Sequence, residues 1–403
     1  MKKIKVGVVG LNFGKKIIDT YITKGTAEPY FELAAVCERN AETCDAIAAE
    51  YGVKAYTSLD DLLVDDGIPV IILMTGPNGR ADQLRKIIRA GKDCMTTKPF
   101  EIDPDEAESV LAEARELGRF IYLNSPCAAE SEDFKMINHW RAKYDLGMPV
   151  GGHHECWYKA VESSDGTWYD DPSQCPAAPI FRLGIYGVND MLRIFGEPEE
   201  IQVMQTRLFT GRPTPDYARM CIKFKSGAIV DTLDGWVVSP ERQSTSMILY
   251  FEHGTIYRNP TMMPCDPVRA NLLNHTYLCL CVGDDSDGMP VETVRIPNTE
   301  LSQAYQWEIF YRAITTRKRP QGETPDVVIV NSLRILNAMK EAAETGNTVK
   351  VGAKRAIRNP LYVQHCSDVQ INNTMATGAN NKSKEGNRVR EGSHASNLAK
   401  KGK

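Results

Sequence analysis

No stretch of this 403-residue sequence is apolar for long enough to span a bilayer. Its 11 cysteines form no CxxC pair and no zinc-like spacing, so they read as reduced thiols and not as a disulfide framework or a metal cage. Positive charge is not in excess. A net charge of −4 offers no basic face of the kind that nucleic-acid binding needs. No internal repeat is present. The opening MKKIKVGVVGL is basic and then apolar, as a signal peptide is. Its apolar run is too short, however, and no small-residue cleavage site follows, so it reads as a first strand. These absences imply a cytoplasmic protein with no membrane, no nucleic acid and no metal.

What is present is ordinary for a globular chain: 42% hydrophobic and 25% charged residues support a sizeable core. The length is too great for one typical core, so two domains and a tail are expected. The first third alternates strand and helix. IKVGVVG, FELAAVCE, PVIILMTG, KDCMTTKPF and RFIYLNS read as strands. Between them lie the helices FGKKIIDTYIT, AETCDAIAAEYG and RADQLRKIIRAG, and a helix that Asp103, Pro104 and Glu106 start and Gly118 ends. Repeated βα units of this length imply a doubly wound parallel sheet over residues 1–124.

From about residue 125 strand follows strand. ARMCIKFKSGAIVDTLDGW reads as a hairpin turning at Ser226–Gly227, with Met220, Ile222 and Phe224 on one face. SMILYFEHGTIYR and TYLCLCV add strands. Two helices close the region, one around Trp307 and Phe310, the other from Asp326 to Gly346. This is an α+β domain over 125–352, built on an antiparallel sheet with one covered face. Residues 353–403 are rich in Asn, Ser, Gly and Lys and read as a disordered, mildly basic tail.

VGVVGLNFGKK follows a strand and opens a helix, which is the setting of a dinucleotide fingerprint. Gly10 fills the first glycine position. Asn12 stands in the second, Lys15 in the third, and Gly14 comes one place early. A tight turn without a ligand is the plainer alternative. Glu38 ends the second strand near the spacing expected of a ribose-binding acid, and a carboxylate there favours NAD. Arg39 beside it could hold a 2′-phosphate, which leaves NADP open; the plainer reading of Glu38 is an exposed strand-end charge. His153 and His154 are adjacent on a strand and so face opposite sides, a poor metal pair. Trp157, Trp168 and Trp236 read as core or rim packing.

Taken together, the fingerprint, AVCERN, ILMTGP, AGKDCMTTKPFE, LGIYGVND and TPDVVIVNSLRILNAMKEAAETGNTVKV resemble the glucose–fructose oxidoreductase / inositol dehydrogenase / MocA family over residues 1–350. The resemblance implies a Rossmann domain joined to an open-sheet domain. It implies hydride transfer between a nicotinamide cofactor and a sugar, polyol or sugar-acid-like substrate, and a homo-oligomer, dimer or tetramer. It places Gly10, Asn12, Phe13, Gly14, Glu38, Arg39, Thr75, Gly76 and Lys98 around the cofactor.

The catalytic frame departs from the family in several places. Thr97-Lys98-Pro99 stands where Glu-Lys-Pro is usual, and the Lys98–Pro99 bond is a candidate for the cis form. Arg182, Tyr186 and Asn189 stand in the places of an aspartate, a histidine and an aspartate, and Arg80 replaces a histidine. The resemblance makes Lys98 and Tyr186 the catalytic pair: Tyr186 as the acid/base, and Lys98 lowering the tyrosine's pKa and orienting the substrate oxygen, or itself joining in proton transfer if burial lowers its pKa. Arg80, Arg182 and Asn189 become substrate contacts, the arginines suiting a carboxylate or phosphate, with Arg80 equally placed to contact the cofactor. Structural ion pairing for the arginines, packing for Tyr186 and a solvated strand end for Lys98 are the plainer alternatives. The altered positions leave two other readings open: a nucleotide- or metabolite-binding protein without turnover, and lyase- or epimerase-like chemistry with recycled NAD.

Overall fold

The computed structural model describes residues 2–158, 164, 166, 168–208, 210–236, 244–259, 275–283, 289–297 and 305–352. The tail expected at 353–403 lies outside the described residues, apart from which the chain forms one unit up to Ala353. The first region runs β1 (Ile4–Val9), α1 (Leu11–Ile17), β2 (Phe31–Cys37), α2 (Ala41–Tyr51), β3 (Lys54–Tyr56) and α3 (Leu59–Leu63). It continues with β4 (Val70–Leu73), α4 (Arg80–Arg89), β5 (Asp93–Thr96), α5 (Pro104–Glu116) and β6 (Ile121–Leu123). The six strands are all parallel, in the order β3-β2-β1-β4-β5-β6. That order reverses direction at β1, so the β1–β4 crevice is the topological switch point, where such sheets bind ligands.

Each strand divides its side chains between two cores, as a sheet covered on both faces must. Ile71 and Leu73 join Leu84, Ile88 and Val110 on the face of α4 and α5. Val6, Val8, Val70 and Ile72 join Ile17 of α1 on the other. The expected caps hold: the Asp103 carboxylate accepts from the N–H groups of Asp105 and Glu106, and Pro104 opens α5.

The second region begins with α6 (Glu132–Lys143) and β7 (Pro149–Tyr158), followed by a π-helical turn, Ile180–Gly184, that runs into α7 (Ile185–Phe195). Then come β8 (Pro198–Thr206), β9 (Tyr217–Phe224), β10 (Ile229–Trp236), β11 (Ser244–Phe251), β12 (Gly254–Arg258), β13 (His275–Val282) and β14 (Glu292–Pro297). α8 (Trp307–Thr316), α9 (Asp326–Thr345) and β15 (Val349–Lys350) complete it. Nine strands form one sheet, β14-β13-β12-β11-β7-β10-β9-β8-β15.

Two expectations need correction. The sheet is mixed, because β10 lies parallel to β7 while its other pairings are antiparallel. The reason is α7: it crosses over between β7 and β8, and parallel neighbours need such a connection. Second, α8 packs on the first sheet, not the second. Trp307 and Phe310 both lie 5.8 Å from the Phe31 ring, and Phe310 lies 5.8 Å from Tyr122. Its aromatic face fills the core beside β1 that α1 and α2 leave open. α9 carries Leu333 and Leu336 into the other core, which continues without a break to Ile222 and Phe224 of β9. The two sheets therefore share one hydrophobic interior. Among the described residues no helix is long and apolar enough to cross a membrane.

The π-turn and α7 lie close against β7 and β10, and two glycines allow it. A Cβ on Gly184 would fall 2.6 Å from the Asp234 carboxylate, and one on Gly187 would fall 2.3 Å from the His154 ring. His154 is 1% exposed and hydrogen-bonded to Thr232 (3.1 Å), so its ring cannot swing aside. Gly187→Ala is therefore expected to destabilise the fold by ~1–3 kcal/mol, read as a lower urea midpoint. In a His154→Ala background the same change should cost much less; an equal cost would refute the contact.

Candidate active site

The β1–α1 turn is built for close approach. Gly10 has φ 83°, and a side chain there would bring its Cβ within 3.0 Å of the Met74 carbonyl and the Thr75 nitrogen. Gly14 performs the third-glycine function one residue early: its would-be Cβ lies 2.9 Å from Val8, so α1 seats directly on β1. Asn12 and Phe13 are exposed in the first turn of α1. The early third glycine explains why the imperfect spacing still yields the required packing.

Glu38, at the end of β2, accepts the Leu11 N–H (3.0 Å) and the Arg39 N–H (2.9 Å). One of the unpaired donors at the head of α1 is thereby satisfied. A carboxylate offers about four acceptor sites, so Glu38 keeps capacity for a ribose diol. Arg39 is exposed beside it. At the end of β4, Thr75 donates to Gln83 (2.9 Å), and Gly76 is exposed with open space where a side chain would be. A glycine-only turn at a helix head, an acid one strand over and an open Gly76 all gather at the carboxyl ends of β1, β2 and β4. These residues fit a nicotinamide dinucleotide.

Arg80 does not sit at a substrate mouth. It is 1% exposed, and its guanidinium donates to the carbonyls of Thr97 (2.6 Å), Pro99, Phe100 (3.3 Å) and Thr75. The expectation that it binds substrate is corrected: its fork is spent on the backbone after β4 and β5. Burial brings its pKa down to about 10, partly offset by the nearby Glu101 carboxylate. Asn189 is corrected for a similar reason. It is 1% exposed and donates to the Ser125 hydroxyl (2.8 Å), so it fixes the segment after β6.

The clamp delivers Lys98 to the far side of its loop, where the Lys98–Pro99 bond is cis. The half-buried ammonium donates to the carbonyl of Arg182 in the π-turn and lies 5.2 Å from the centre of the Tyr186 ring. Burial, and secondly the Arg182 charge, bring Lys98 down to about 8. The Arg182 guanidinium is sandwiched over Tyr169 (4.0 Å) and Trp236 (5.0 Å). Lys98, Arg182 and Tyr186 are thus brought together, as the sequence implied.

One electrostatic expectation fails. Tyr186 is pushed well above the usual phenol range, chiefly by burial and then by Tyr305, Tyr21, Tyr169 and Cys156. Lys98 meets the ring face and not the hydroxyl, so it does not offset that desolvation. The group that does meet the hydroxyl is Asn124, just after β6, which donates to the Tyr186 oxygen at 2.8 Å. Sequence reading passed over Asn124, since a lone asparagine after a strand carries no spacing signal. A buried carboxylic acid, Asp234, completes the floor. Burial raises it to about 8, and the Thr232 hydroxyl donates to it. Among the described residues no group of three or more potential metal ligands converges.

Comparisons with known proteins agree with this geometry. Residues 4–125 match the oxidoreductase family described as an NAD-binding Rossmann fold, and 134–257 match the GFO/IDH/MocA C-terminal domain. An uncharacterized oxidoreductase of Schizosaccharomyces pombe is 26% identical over 48% of this chain and 53% of its own length. A D-xylose 1-dehydrogenase (NADP(+)) of Haloferax volcanii is 24% identical over 79% of this chain and 92% of its own. The match spans about half the length of the first of these relatives. A levoglucosan dehydrogenase solved with NADH and levoglucosan shares the fold, with TM-score 0.67 and 15% identity over 87% of this chain and 99% of that one. With a glycine-tight dinucleotide turn on one sheet and a lysine-bearing loop facing the second, the chain belongs to the Gfo/Idh/MocA oxidoreductase family.

Proposed function

We propose that this protein is an NAD(P)-dependent oxidoreductase acting on a CH–OH group of a sugar, polyol or sugar acid. The observation that carries the reading is the placement of Lys98 and Tyr186 together beside the dinucleotide-binding edge. Two relatives in the comparisons are named as dehydrogenases of D-xylose and levoglucosan, which supports a sugar-like substrate. The Arg182 and Lys98 charges in one cluster support an acid form of it. The bound nicotinamide ring would accept or return hydride at the carbinol carbon.

In this reading Lys98 takes the proton-transfer role left open for it, and Tyr186 holds the substrate oxygen in place of acting as the acid/base. Tyr186 stays a neutral phenol at physiological pH, so it suits a hydrogen-bond donor that holds the substrate oxygen. Lys98, near 8, is matched to proton transfer at neutral pH: its amine takes the hydroxyl proton during oxidation, and its ammonium returns one during reduction. A homo-oligomer belongs to the same reading. The exposed Ile229 and Tyr250 flank Gly151 in adjacent strands of the open sheet face, which supports burial against a second copy.

Turnover of NAD or NADP with a panel of pentoses, hexoses, polyols and their acids tests the proposal. Tyr186→Phe should lose roughly 10–100-fold in kcat/KM, the loss of one positioning hydrogen bond. Lys98→Met should lose roughly 100–10,000-fold. Wild-type rates in both variants would sink the reading.

The pH dependence has a defined sign. The Lys98 amine predominates above about 8, so kcat/KM for alcohol oxidation should rise as pH increases through that value, and for carbonyl reduction it should fall. Asp234 also titrates near 8. Asp234→Asn should keep the limb, and Lys98→Met should lose it.

Glu38 sets the cofactor. Its carboxylate favours a ribose diol and repels a 2′-phosphate, so Glu38→Ser should shift the NADH/NADPH affinity ratio roughly tenfold towards NADPH, about 1.4 kcal/mol. Fluorescence titration with each reduced cofactor measures it; an unchanged ratio would show that the acid does not read the ribose.

A further inference from the structure

The amide of Asn124 can adopt only one orientation. Its Oδ1 receives the backbone N–H of Lys98 at 2.8 Å, and a backbone N–H can only donate. The Thr97 hydroxyl donates to the same oxygen at 3.3 Å. With Oδ1 so held, the other end of the amide must be Nδ2, which faces the Tyr186 hydroxyl at 2.8 Å and can only donate to it. Asn124 is 5% exposed and Thr97 9%, so water does not compete freely for these bonds. The chain extends further, because the Thr97 hydroxyl also meets that of the buried Tyr305.

We propose that Asn124 is the positioning residue of this site: locked by the Lys98 N–H and Thr97, it donates to the Tyr186 oxygen and thereby forces the phenol proton outward, towards a substrate oxygen. The inference rests on the reading of Tyr186 as the group that holds the substrate. A tyrosine hydroxyl has one proton and accepts through its oxygen. Once Asn124 occupies the acceptor side, the proton cannot point at Asn124, because two hydrogens would meet. A single orientation remains for binding, and no reorganisation is needed when the substrate arrives. Thr97 gains a purpose here too. In the place of the family's glutamate it supplies a neutral donor that helps to hold the amide.

The arrangement also predicts how the phenol titrates. The largest influences on Tyr186, burial and then Tyr305, Tyr21, Tyr169 and Cys156, disfavour the phenolate. Lys98 lies over the ring. A hydrogen bond donated to the oxygen favours the ionised form and is lost with the Asn124 amide.

The test uses the full-length protein with a fluorinated tyrosine incorporated at position 186, which lowers the phenol's own pKa, and follows the ¹⁹F resonance through a pH titration. Asn124→Ala should raise the midpoint by about one pH unit, the equivalent of one lost hydrogen bond. Asn124→Asp keeps the shape and the acceptor for Lys98 but turns the donor into a carboxylate, so the midpoint should rise further still. Thr97→Val should move it little, because the Lys98 N–H still fixes the amide. If the midpoints in wild type, Asn124→Ala and Asn124→Asp agree within about 0.3 units, the proposal is overturned. The near-isosteric Asp variant guards against a simple failure of the Ala variant to fold. The readout needs no turnover, so it stands apart from the activity of Tyr186→Phe: an impaired Tyr186→Phe with an immobile resonance would remove Asn124 alone.

Discussion

The site depends on one buried cation. Arg80, at the head of α4, donates to four carbonyls drawn from the segments after β4 and β5. Those segments line the dinucleotide edge and carry Lys98. A guanidinium is suited to the task because its five donors form a rigid fork, and several carbonyls can converge on it. Burial disfavours the charge. Its compensation comes from oxygen dipoles and from Glu101, which the Ala81 N–H (2.6 Å) and Ile102 N–H (2.7 Å) hold in place. Removing Arg80 would leave these largely buried carbonyls without their donor. The loops on either side of the crevice are therefore coupled, and Lys98 is placed by a clamp set deep in the first sheet.

The same coupling accounts for what the sequence could and could not announce. Strands and helices with strong local signals were legible: the caps of α5, the hairpin at Gly227, and the alternation that buries Met220, Ile222 and Phe224. Gly10 and Glu38 were legible because turn geometry demands residue types at fixed spacing. The parallel pairing of β7 with β10 was not, since register between distant strands leaves no mark in either one. Nor was the return of α8 to the first sheet. Its aromatic face announces a buried helix, but Phe31 and Tyr122, against which it packs, lie far away in the chain.

Residue roles were hardest to read wherever charge and burial compete. Arg80 and Asn189 stood at positions that suggested substrate contact, yet both are buried and bonded to the loops around the site. An arginine in a sequence carries no indication of whether its partner will be a ligand or a backbone carbonyl. Gly184 and Gly187 show the converse. They look like ordinary helix-weakening residues, but each gives room for a buried side chain from the second sheet, Asp234 beneath one and His154 beneath the other. Those contacts hold the π-turn and α7 at the distance that brings Arg182 and Tyr186 to Lys98.

That placement also decides which group can move a proton. A lysine and a tyrosine buried together do not shift in the same direction. Desolvation penalises the ammonium and the phenolate alike, so the lysine falls towards neutrality while the phenol climbs away from it. A charge interaction offsets this for the tyrosine most strongly where the ammonium is hydrogen-bonded to its oxygen. It meets the ring face, because its donor reaches instead to the Arg182 carbonyl. The carbonyl is available in the π-turn, where the register of helical hydrogen bonds is offset. Of this pair, Lys98 is thus the one brought towards working pH, while Tyr186 stays a neutral phenol. On the proposed reading, a tyrosine in the place of the family's histidine leaves the proton-carrying role to the lysine.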